Sequence, residues 1–238
     1  MKKLSHPNLV QLIEVLDDPE EDSLYMVLEM CKKGAVMKVG LDERTDPYDA
    51  ETCRHWFRDL ILGVEYRAFL LNPLCKCRRF ANTSSVHSQG VIHRGLKPDD
   101  LLLTEDNVLK IADFGVAEMF EKQSDMMTAK SAGSPAFLPP ELCVSSHGDI
   151  SGTAADIWSM GVCLYCLRFG RIPFERSGVL ELYEAIRNDE LALEVDPDQD
   201  SEFDDILRKM MEKNPEKRIK MRALRVIAPP LYRQFPGN

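Results

Sequence analysis

Five short motifs occur in a fixed order along this chain, and their spacing constrains the fold more than any other feature. The stretch VIHRGLKPDD occupies residues 91–100, and DFG follows it at residues 113–115. PPE at residues 139–141, DIWSMG at residues 156–161 and the arginine of NPEKRI, Arg218, complete the series. DFG alone occurs by chance, but five motifs in order and at consistent spacing point to a single fold.

The series resembles that of the eukaryotic protein kinases. The matching residues in three of the motifs are His93, Arg94, Lys97 and Asp100 in the catalytic loop, Asp113, Phe114 and Gly115 in the metal-binding motif, and Glu141 at the end of the activation segment. Asp156, with Trp158 and Gly161, matches the helix that anchors the catalytic loop, and Arg218 matches the partner of Glu141.

The resemblance implies an α+β, protein kinase-like fold in two parts. Residues 1–31 would be the remnant of a β small lobe, and residues 32–238 a complete, mainly helical large lobe with an insertion at residues 67–85. Residues 6–30 and 133–143 are most similar to the calcium/calmodulin-dependent protein kinase kinases in their fungal form. Members of that group phosphorylate the activation loops of other kinases, so the expected partner is a protein substrate. Calmodulin would bind only through segments outside this sequence.

Hydrophobic periodicity predicts where the regular elements lie. Two short, largely apolar runs predict strands near residues 9–16 and 24–30, joined by a charged turn. Apolar residues at three- and four-residue intervals predict an amphipathic helix over residues 49–66, with Asp49 near its start. A short hairpin is predicted within residues 101–115. Three more helices are predicted, near residues 153–170, 179–186 and 202–213.

The predicted helix at residues 153–170 is apolar around most of its circumference, which is typical of a helix buried in the middle of a lobe. It contains Cys163 and Cys166, and packing in the core accounts for this pair better than a metal site does. Seven cysteines at irregular spacing suit a reducing compartment, so the cytoplasm, or the nucleus, is the expected location. The last predicted helix presents one apolar stripe to the core: Phe203, Ile206, Leu207, Met210 and Met211.

The formal net charge of -9 argues against nucleic acid and against an anionic membrane surface as partners. Both are bound through clustered Lys and Arg side chains. No apolar run is long enough to span a bilayer, and the first residues are charged and polar, unlike a signal peptide. The charge and hydropathy therefore favour a protein partner.

Phosphoryl transfer depends on positioning and on neutralising phosphate charge, and kinases use ATP as its magnesium complex. The resemblance assigns magnesium to Asp113 and Asp100, and the γ-phosphate to Lys97. It assigns Ser134 a supporting hydrogen bond in the catalytic loop. Lys97 could alternatively be a solvated surface lysine.

The adenine site follows from the same resemblance. Leu28 matches the gatekeeper residue, and the backbone groups of Glu29 and Cys31 would bond adenine. For Cys31, a role in packing alone is an equal alternative.

Two residues of the catalytic loop depart from the family pattern. Gly95 stands where kinases have the Asp that accepts the proton of the substrate hydroxyl, and glycine has no side chain to do so. Losing a general base lowers a rate by roughly 10²- to 10⁴-fold, so transfer by this chain is expected to be strongly impaired. Asp100 replaces the Asn that holds a second magnesium; its carboxylate can still bind a hard cation.

Three other departures concern whole segments. The glycine-rich loop, the lysine of the third strand and its glutamate partner have no counterpart in this sequence, so the small-lobe remnant is expected to be mobile or aggregation-prone. Residues 67–85 contain four basic residues and no acidic one, and interrupt the predicted helix. We interpret them as an intron left in the sequence or a fault in the gene model, with a tolerated surface loop as the alternative. Lys130 occupies the position of the usual phosphorylated Thr, and Thr128 and Ser131 are weaker candidates.

These observations support three hypotheses about function. The chain could be a serine/threonine kinase domain with impaired activity, and this is the interpretation that we favour. It could be a pseudokinase that acts as a binding or scaffold module, which Gly95 favours. It could also be a fragment without a folded product.

Overall fold

The computed structural model describes residues 6–17, 24–41, 43–70, 91–93, 95–112, 118–119, 127–128, 134–144, 150–193 and 201–227. Within these ranges the chain forms five α-helices and several short antiparallel sheets, which confirms the predicted α+β class. The boundary between a small-lobe remnant and a large lobe stays a prediction.

The first sheet is a hairpin of β1 (Leu12–Asp17) and β2 (Leu24–Leu28), which pair antiparallel. Both predicted strands are confirmed, but each is shorter than expected. Leu9 and Val10 are not part of the hairpin, because they are buried against a strand near residue 111. Leu9 bridges Ile111 in parallel, and the Val10 amide donates to the Ile111 carbonyl at 3.0 Å.

The hairpin exposes much of its apolar surface. Among the described residues, its exposed large apolar side chains are Ile13, Val15, Leu16, Tyr25, Met26, Val27 and Leu28, followed by Met30. In the part of the chain that the structure describes, this sheet has two strands, and a pair of strands buries little surface.

Helix α1 (Ala50–Leu70) begins where the sequence predicts it. The Asp49 carboxylate accepts hydrogen bonds from the Thr52 amide at 2.9 Å and from the Thr52 hydroxyl at 2.7 Å, a side-chain cap of the first turn. The helix continues beyond its predicted end, through residues 67–70, whose Arg, Ala, Phe and Leu are compatible with helix formation. Residues 71–85 of the predicted insertion lie outside the described residues, so the insertion stays a prediction.

A three-stranded antiparallel sheet lies beside α1. It consists of β3 (Gly34–Ala35), β5 (Leu101–Leu103) and β6 (Leu109–Ile111), in the order β3-β5-β6. The hairpin predicted within residues 101–115 is confirmed over residues 101–111, and residues 113–115 lie outside the described residues. Strand β3 was not predicted, because two residues give no periodic signal. Strand β4 (Val91–Ile92) pairs with β7 (Glu118–Met119), and β8 (Met127–Thr128) pairs with β9 (Ile150–Ser151).

Helix α2 (Gly152–Phe169) runs through the middle of the core. Fifteen of its eighteen residues are buried, as its apolar circumference predicts, and Cys163 and Cys166 are both fully buried. Burial raises the pKa of each of these thiols well above its ordinary value. The Ser151 hydroxyl accepts a hydrogen bond from the Ala154 amide, and Gly170 ends the helix in the left-handed conformation.

Three further helices follow: α3 (Val179–Asn188), α4 (Ser201–Met210) and α5 (Met221–Ile227). The predicted core stripe is confirmed, since its four residues on α4 and Met211, which follows the helix, are all buried. Gly161 lets the end of α4 approach α2 closely, because a Cβ there would lie 3.1 Å from Met210 Cβ and 2.9 Å from Met211 Cγ. No helix in the described ranges combines the length and hydropathy needed to cross a bilayer.

Candidate active site

The stretch that matches the catalytic loop is built on buried apolar anchors. Leu96 and Pro98 are buried on either side of Lys97, whose backbone is extended. Residues Pro98–Asp100 form a 3₁₀ turn in which the Asp100 amide donates to the Lys97 carbonyl at 3.0 Å. Asp100 is itself buried, and its carbonyl accepts a hydrogen bond from the Ala112 amide at 2.7 Å. Lys97 and Asp100 are thus held on one rigid turn, next to the residue that precedes Asp113.

Asp156 connects this loop to the central helix. Its two carboxylate oxygens accept hydrogen bonds from the backbone amide of His93, at 3.1 and 2.9 Å. Both residues are buried, and Asp156 lies in the first turns of α2. Hydrogen bonds to a buried carboxylate are among the stronger ones in proteins, so the start of the loop is fixed to α2.

Glu141 and Arg218 lie 77 residues apart in the sequence and meet in the fold. The guanidinium Nη1 and Nη2 atoms each donate to one oxygen of the Glu141 carboxylate, both at 2.8 Å. Arg218 also donates to the Ala154 carbonyl at 2.7 Å, in the first turn of α2. The end of the PPE motif is therefore tied to the same turn of α2 as the catalytic loop.

The segment that matches the adenine-binding hinge follows β2. The Glu29 amide donates to the Gln11 carbonyl at 2.9 Å, so this amide is not available to a ligand. Among the described residues, no hydrogen bond to the Glu29 carbonyl or from the Cys31 amide is found. These two groups therefore have no backbone partner among the described residues, and their binding of adenine stays a prediction. Leu28 is partly exposed, and burial raises the pKa of the Cys31 thiol, so Cys31 is a poor nucleophile.

Two buried polar residues that the sequence analysis missed hold β6, the strand that leads to Asp113. The Asn8 side-chain amide donates to the Leu109 carbonyl at 3.0 Å, and the Asp59 carboxylate accepts from the Leu109 amide at 3.0 Å. Burial raises the pKa of Asp59. The signal in the sequence was an acid beside the apolar stripe of α1, Asp59 next to Leu60, since a buried acid needs a specific partner.

Comparison with known proteins agrees with this geometry. The protein kinase domain family matches residues 82–226, which is more than half of the chain. The chain belongs to the protein kinase family. It is 56% identical over 207 residues to the calcium/calmodulin-dependent protein kinase kinase cmkC of Emericella nidulans, covering 87% of this chain and 36% of that protein.

More distant relatives belong to the same group or are named as serine/threonine kinases. Identity is 37% to a calcium/calmodulin-dependent protein kinase kinase of Caenorhabditis elegans, over 95% of this chain and 38% of that protein. It is 38% to the serine/threonine-protein kinase ssp1 of Schizosaccharomyces pombe, over 92% of this chain and 31% of that protein. The chain thus spans between three and four tenths of the length of these curated relatives.

Some predicted site residues of the kinase lie where the structure gives no description. Arg94, Asp113, Phe114 and Gly115 are outside the described residues. Ser134 is described: it is exposed at the start of a 3₁₀ turn, and its carbonyl accepts from the Phe137 amide at 3.0 Å. The structure brings Lys97 and Asp100 onto one turn but does not place Ser134 in a hydrogen bond with either. The supporting role of Ser134 stays a prediction.

The donor set suits a magnesium nucleotide in its chemistry. Oxygen ligands from carboxylates are what Mg²⁺ prefers, and Asp100 supplies one on the buried loop. Lys97 adds a partly exposed cation on the same turn, and the open hinge groups of Glu29 and Cys31 suit a purine. Gly95 lies between His93 and Lys97 and offers only backbone atoms to a substrate hydroxyl. The site thus has side chains suited to binding a magnesium nucleotide, but glycine at position 95 provides no side chain for proton transfer.

Proposed function

We propose that this chain binds Mg–ATP and transfers the γ-phosphate to serine or threonine of protein substrates, at a rate strongly reduced by Gly95. The observation that carries the proposal is the bifurcated hydrogen bond from the His93 amide to both carboxylate oxygens of Asp156. It fixes a loop that carries Lys97 and Asp100 to the central helix, and positioning is the main requirement of phosphoryl transfer.

Each residue of the site has a separate task in this proposal. Lys97 neutralises the transferring phosphate, and Asp100, with Asp113, holds magnesium, which would polarise the phosphate and shield its charge. The Glu29 carbonyl and the Cys31 amide orient adenine, and Leu28 borders it. Ser134 supports the catalytic loop. With glycine at position 95, the substrate hydroxyl keeps its proton until solvent removes it, which accounts for a slow reaction.

The substrate class follows from the relatives rather than from the site. The relatives in two organisms are named as kinases of kinases, which supports an activation segment of another kinase as the substrate. Calmodulin appears in those same names, and its binding would require segments outside this chain. The net charge of -9 gives no support to nucleic acid as a partner.

Nucleotide binding and transfer can be tested separately. Thermal unfolding of the purified chain with Mg–ATP should occur at a higher temperature than without it, because a ligand that binds only the folded state stabilises it. Lys97→Ala should reduce this shift. Transfer of labelled phosphate to a peptide should be near background for the native chain. It should rise by roughly 10²-fold or more for Gly95→Asp, since a general base is restored.

A double variant with Gly95→Asp and Lys97→Ala serves as the control for transfer, because it restores the base but removes the cation. Absence of any Mg–ATP effect on unfolding would overturn the proposal. Equal transfer by Gly95→Asp and by the double variant would also contradict it.

The missing side chain at Gly95 also favours a second function, a pseudokinase that serves as a binding module. In that case Gly95→Asp should leave the affinity for a protein partner unchanged while transfer rises. A partner affinity that changed together with transfer would contradict a role independent of catalysis. A chain without any cooperative unfolding transition would contradict both functions.

A further inference from the structure

The hairpin and the hinge contain many acidic residues. One of them, Glu29, forms an ion pair with a lysine from a distant part of the sequence. Residues 11–30 contain seven acidic residues and no basic one. Lys110, on β6, places its ammonium 2.7 Å from Glu29 Oε1. The two side chains are only 13% and 24% exposed, whereas those of the Lys32–Glu105 pair are 65% and 68% exposed. The Glu29–Lys110 pair is therefore largely shielded from solvent and salt, unlike a typical surface pair.

Glu29 uses its second carboxylate oxygen to hold the hairpin. Its Oε2 accepts a hydrogen bond from the Gln11 amide at 3.0 Å, while the Glu29 amide donates to the Gln11 carbonyl at 2.9 Å. Glu29, which directly follows β2, thus contacts both Gln11, which precedes β1, and Lys110 on β6. Rotation of the carboxylate away from Lys110 would release the Gln11 amide at the same time.

The residues before and after Lys110 are both held by hydrogen bonds. The Leu109 peptide is held by Asn8 and Asp59, and the Ile111 amide donates to the Asn8 carbonyl at 3.0 Å. Beyond the hinge, the Gly34 amide donates to the Cys31 carbonyl at 3.0 Å. The hinge is therefore held at Cys31 by a backbone hydrogen bond, and at Glu29 by the side-chain contacts of that residue.

We propose that Glu29 and Lys110 are positioning residues that set the orientation of the hinge peptides 29–31 against β6. In doing so, they pre-organise the Glu29 carbonyl and the Cys31 amide for a purine. The effect on nucleotide affinity rests on the proposed function, while the effect on the hinge itself does not. Pre-organisation increases affinity because less ordering has to occur on binding, so loss of the pair should weaken Mg–ATP binding by about three- to tenfold.

Amide hydrogen exchange of the whole chain tests the hinge directly, without nucleotide. Lys110→Met removes the charge but keeps the length of the side chain, and should speed exchange at Gln11 and Glu29 at least fivefold. Lys110→Arg keeps the charge and should restore exchange to within about twofold of the native rate. Lys209→Met, which breaks an exposed pair on α4, should leave these two amides unchanged. Native exchange rates at Gln11 and Glu29 in Lys110→Met would overturn the proposal.

Glu29→Gln provides a second test if Lys110→Met does not fold, because it keeps an oxygen acceptor for the Gln11 amide but removes the charge that binds Lys110. It should speed exchange in the same direction, and an unchanged rate would overturn the proposal.

Mg–ATP affinity, measured by calorimetry, separates this inference from the proposed function. A native chain that binds no Mg–ATP counts against the proposed function, and the exchange rates then decide the hinge role alone. A native chain that binds, with Lys110→Met binding equally well despite faster exchange, would overturn the pre-organisation of the nucleotide site. Weaker binding by Lys110→Met, restored by Lys110→Arg, would support it, since a loss of general stability would not be restored by charge alone.

Discussion

The ammonium of Lys213 lies 4.1 Å from the centroid of the Phe174 ring, and it is also 5.4 Å from that of Trp158. It donates a hydrogen bond to the Ile186 carbonyl near the end of α3. Burial lowers the pKa of Lys213 to about 8, while the Asp189 carboxylate opposes the shift. A half-buried cation that contacts two aromatic rings and the Ile186 carbonyl thus connects α2 with α3.

The lowered pKa predicts a dependence of stability on alkaline pH. Below pH 8 both folded and unfolded chains keep the Lys213 proton, so its contribution is constant. Between about pH 8 and the unfolded value of 10.5, only the unfolded chain holds the proton, so the free energy of unfolding should rise with pH. Urea unfolding of the native chain and of Lys213→Met at several pH values measures this difference.

Titrating groups that do not interact with Lys213 are common to both chains and cancel in the comparison. Cys143 does interact with Lys213, so the comparison is made below the alkaline range in which its thiol titrates. Lys217→Met, at an exposed position nearby, should follow the native curve. Parallel curves for the native chain and Lys213→Met between pH 8 and 10 would contradict the prediction.

Breaking the Glu141–Arg218 pair should be costly. Glu141→Gln leaves the fully buried Arg218 guanidinium without its counter-charge, and removal of one partner from a buried pair costs about 3–5 kcal/mol. We expect a loss of that size in the free energy of unfolding in denaturant. Asp205→Asn breaks an exposed pair with Lys209 and should cost less than about 1 kcal/mol. Equal effects of the two variants would refute a dominant role for the buried pair.

The link between Asp156 and His93 should control the order of the catalytic loop. Asp156→Asn keeps one acceptor oxygen but loses the charge and the second oxygen, which should cost roughly 1–3 kcal/mol. Faster exchange of the His93 amide is the specific measurement. Asp99→Asn changes an exposed carboxylate of the same loop and should leave that amide protected. An unchanged His93 exchange rate in Asp156→Asn would show that other contacts hold the loop.

Local patterns in the sequence predicted much of the fold, because the apolar periodicity of a long helix extends over many residues. Helix α1 was predicted from its apolar spacing and from Asp49, and α2 from its apolar circumference. Strand β3 and helix α5 are too short to give such a signal. The position of Leu9 beside Ile111 depends on a contact across about one hundred residues, which periodicity cannot reveal.

The candidate site was predicted by motif and not by periodicity. Motifs identify residue types, so the catalytic-loop and hinge residues could be named in advance. They do not identify the partners that position those residues. The pairing of Glu29 with Lys110 and the hydrogen bond of Asp59 to Leu109 arise from tertiary packing, and neither residue pair is close in sequence.

Substitution of two glycines with positive φ allows the cost of backbone strain to be distinguished from the cost of a steric clash. A Cβ on Gly34 (φ 71°) would point into open space, whereas a Cβ on Gly170 (φ 66°) would lie 1.9 Å from the Thr45 carbonyl oxygen. Gly34→Ala should therefore cost only the left-handed strain, about 1–2 kcal/mol. Gly170→Ala should cost clearly more, because the backbone near Thr45 has to move away from the end of α2. Denaturant unfolding of both variants measures the difference, and equal losses would show that the segment around Thr45 moves at little cost.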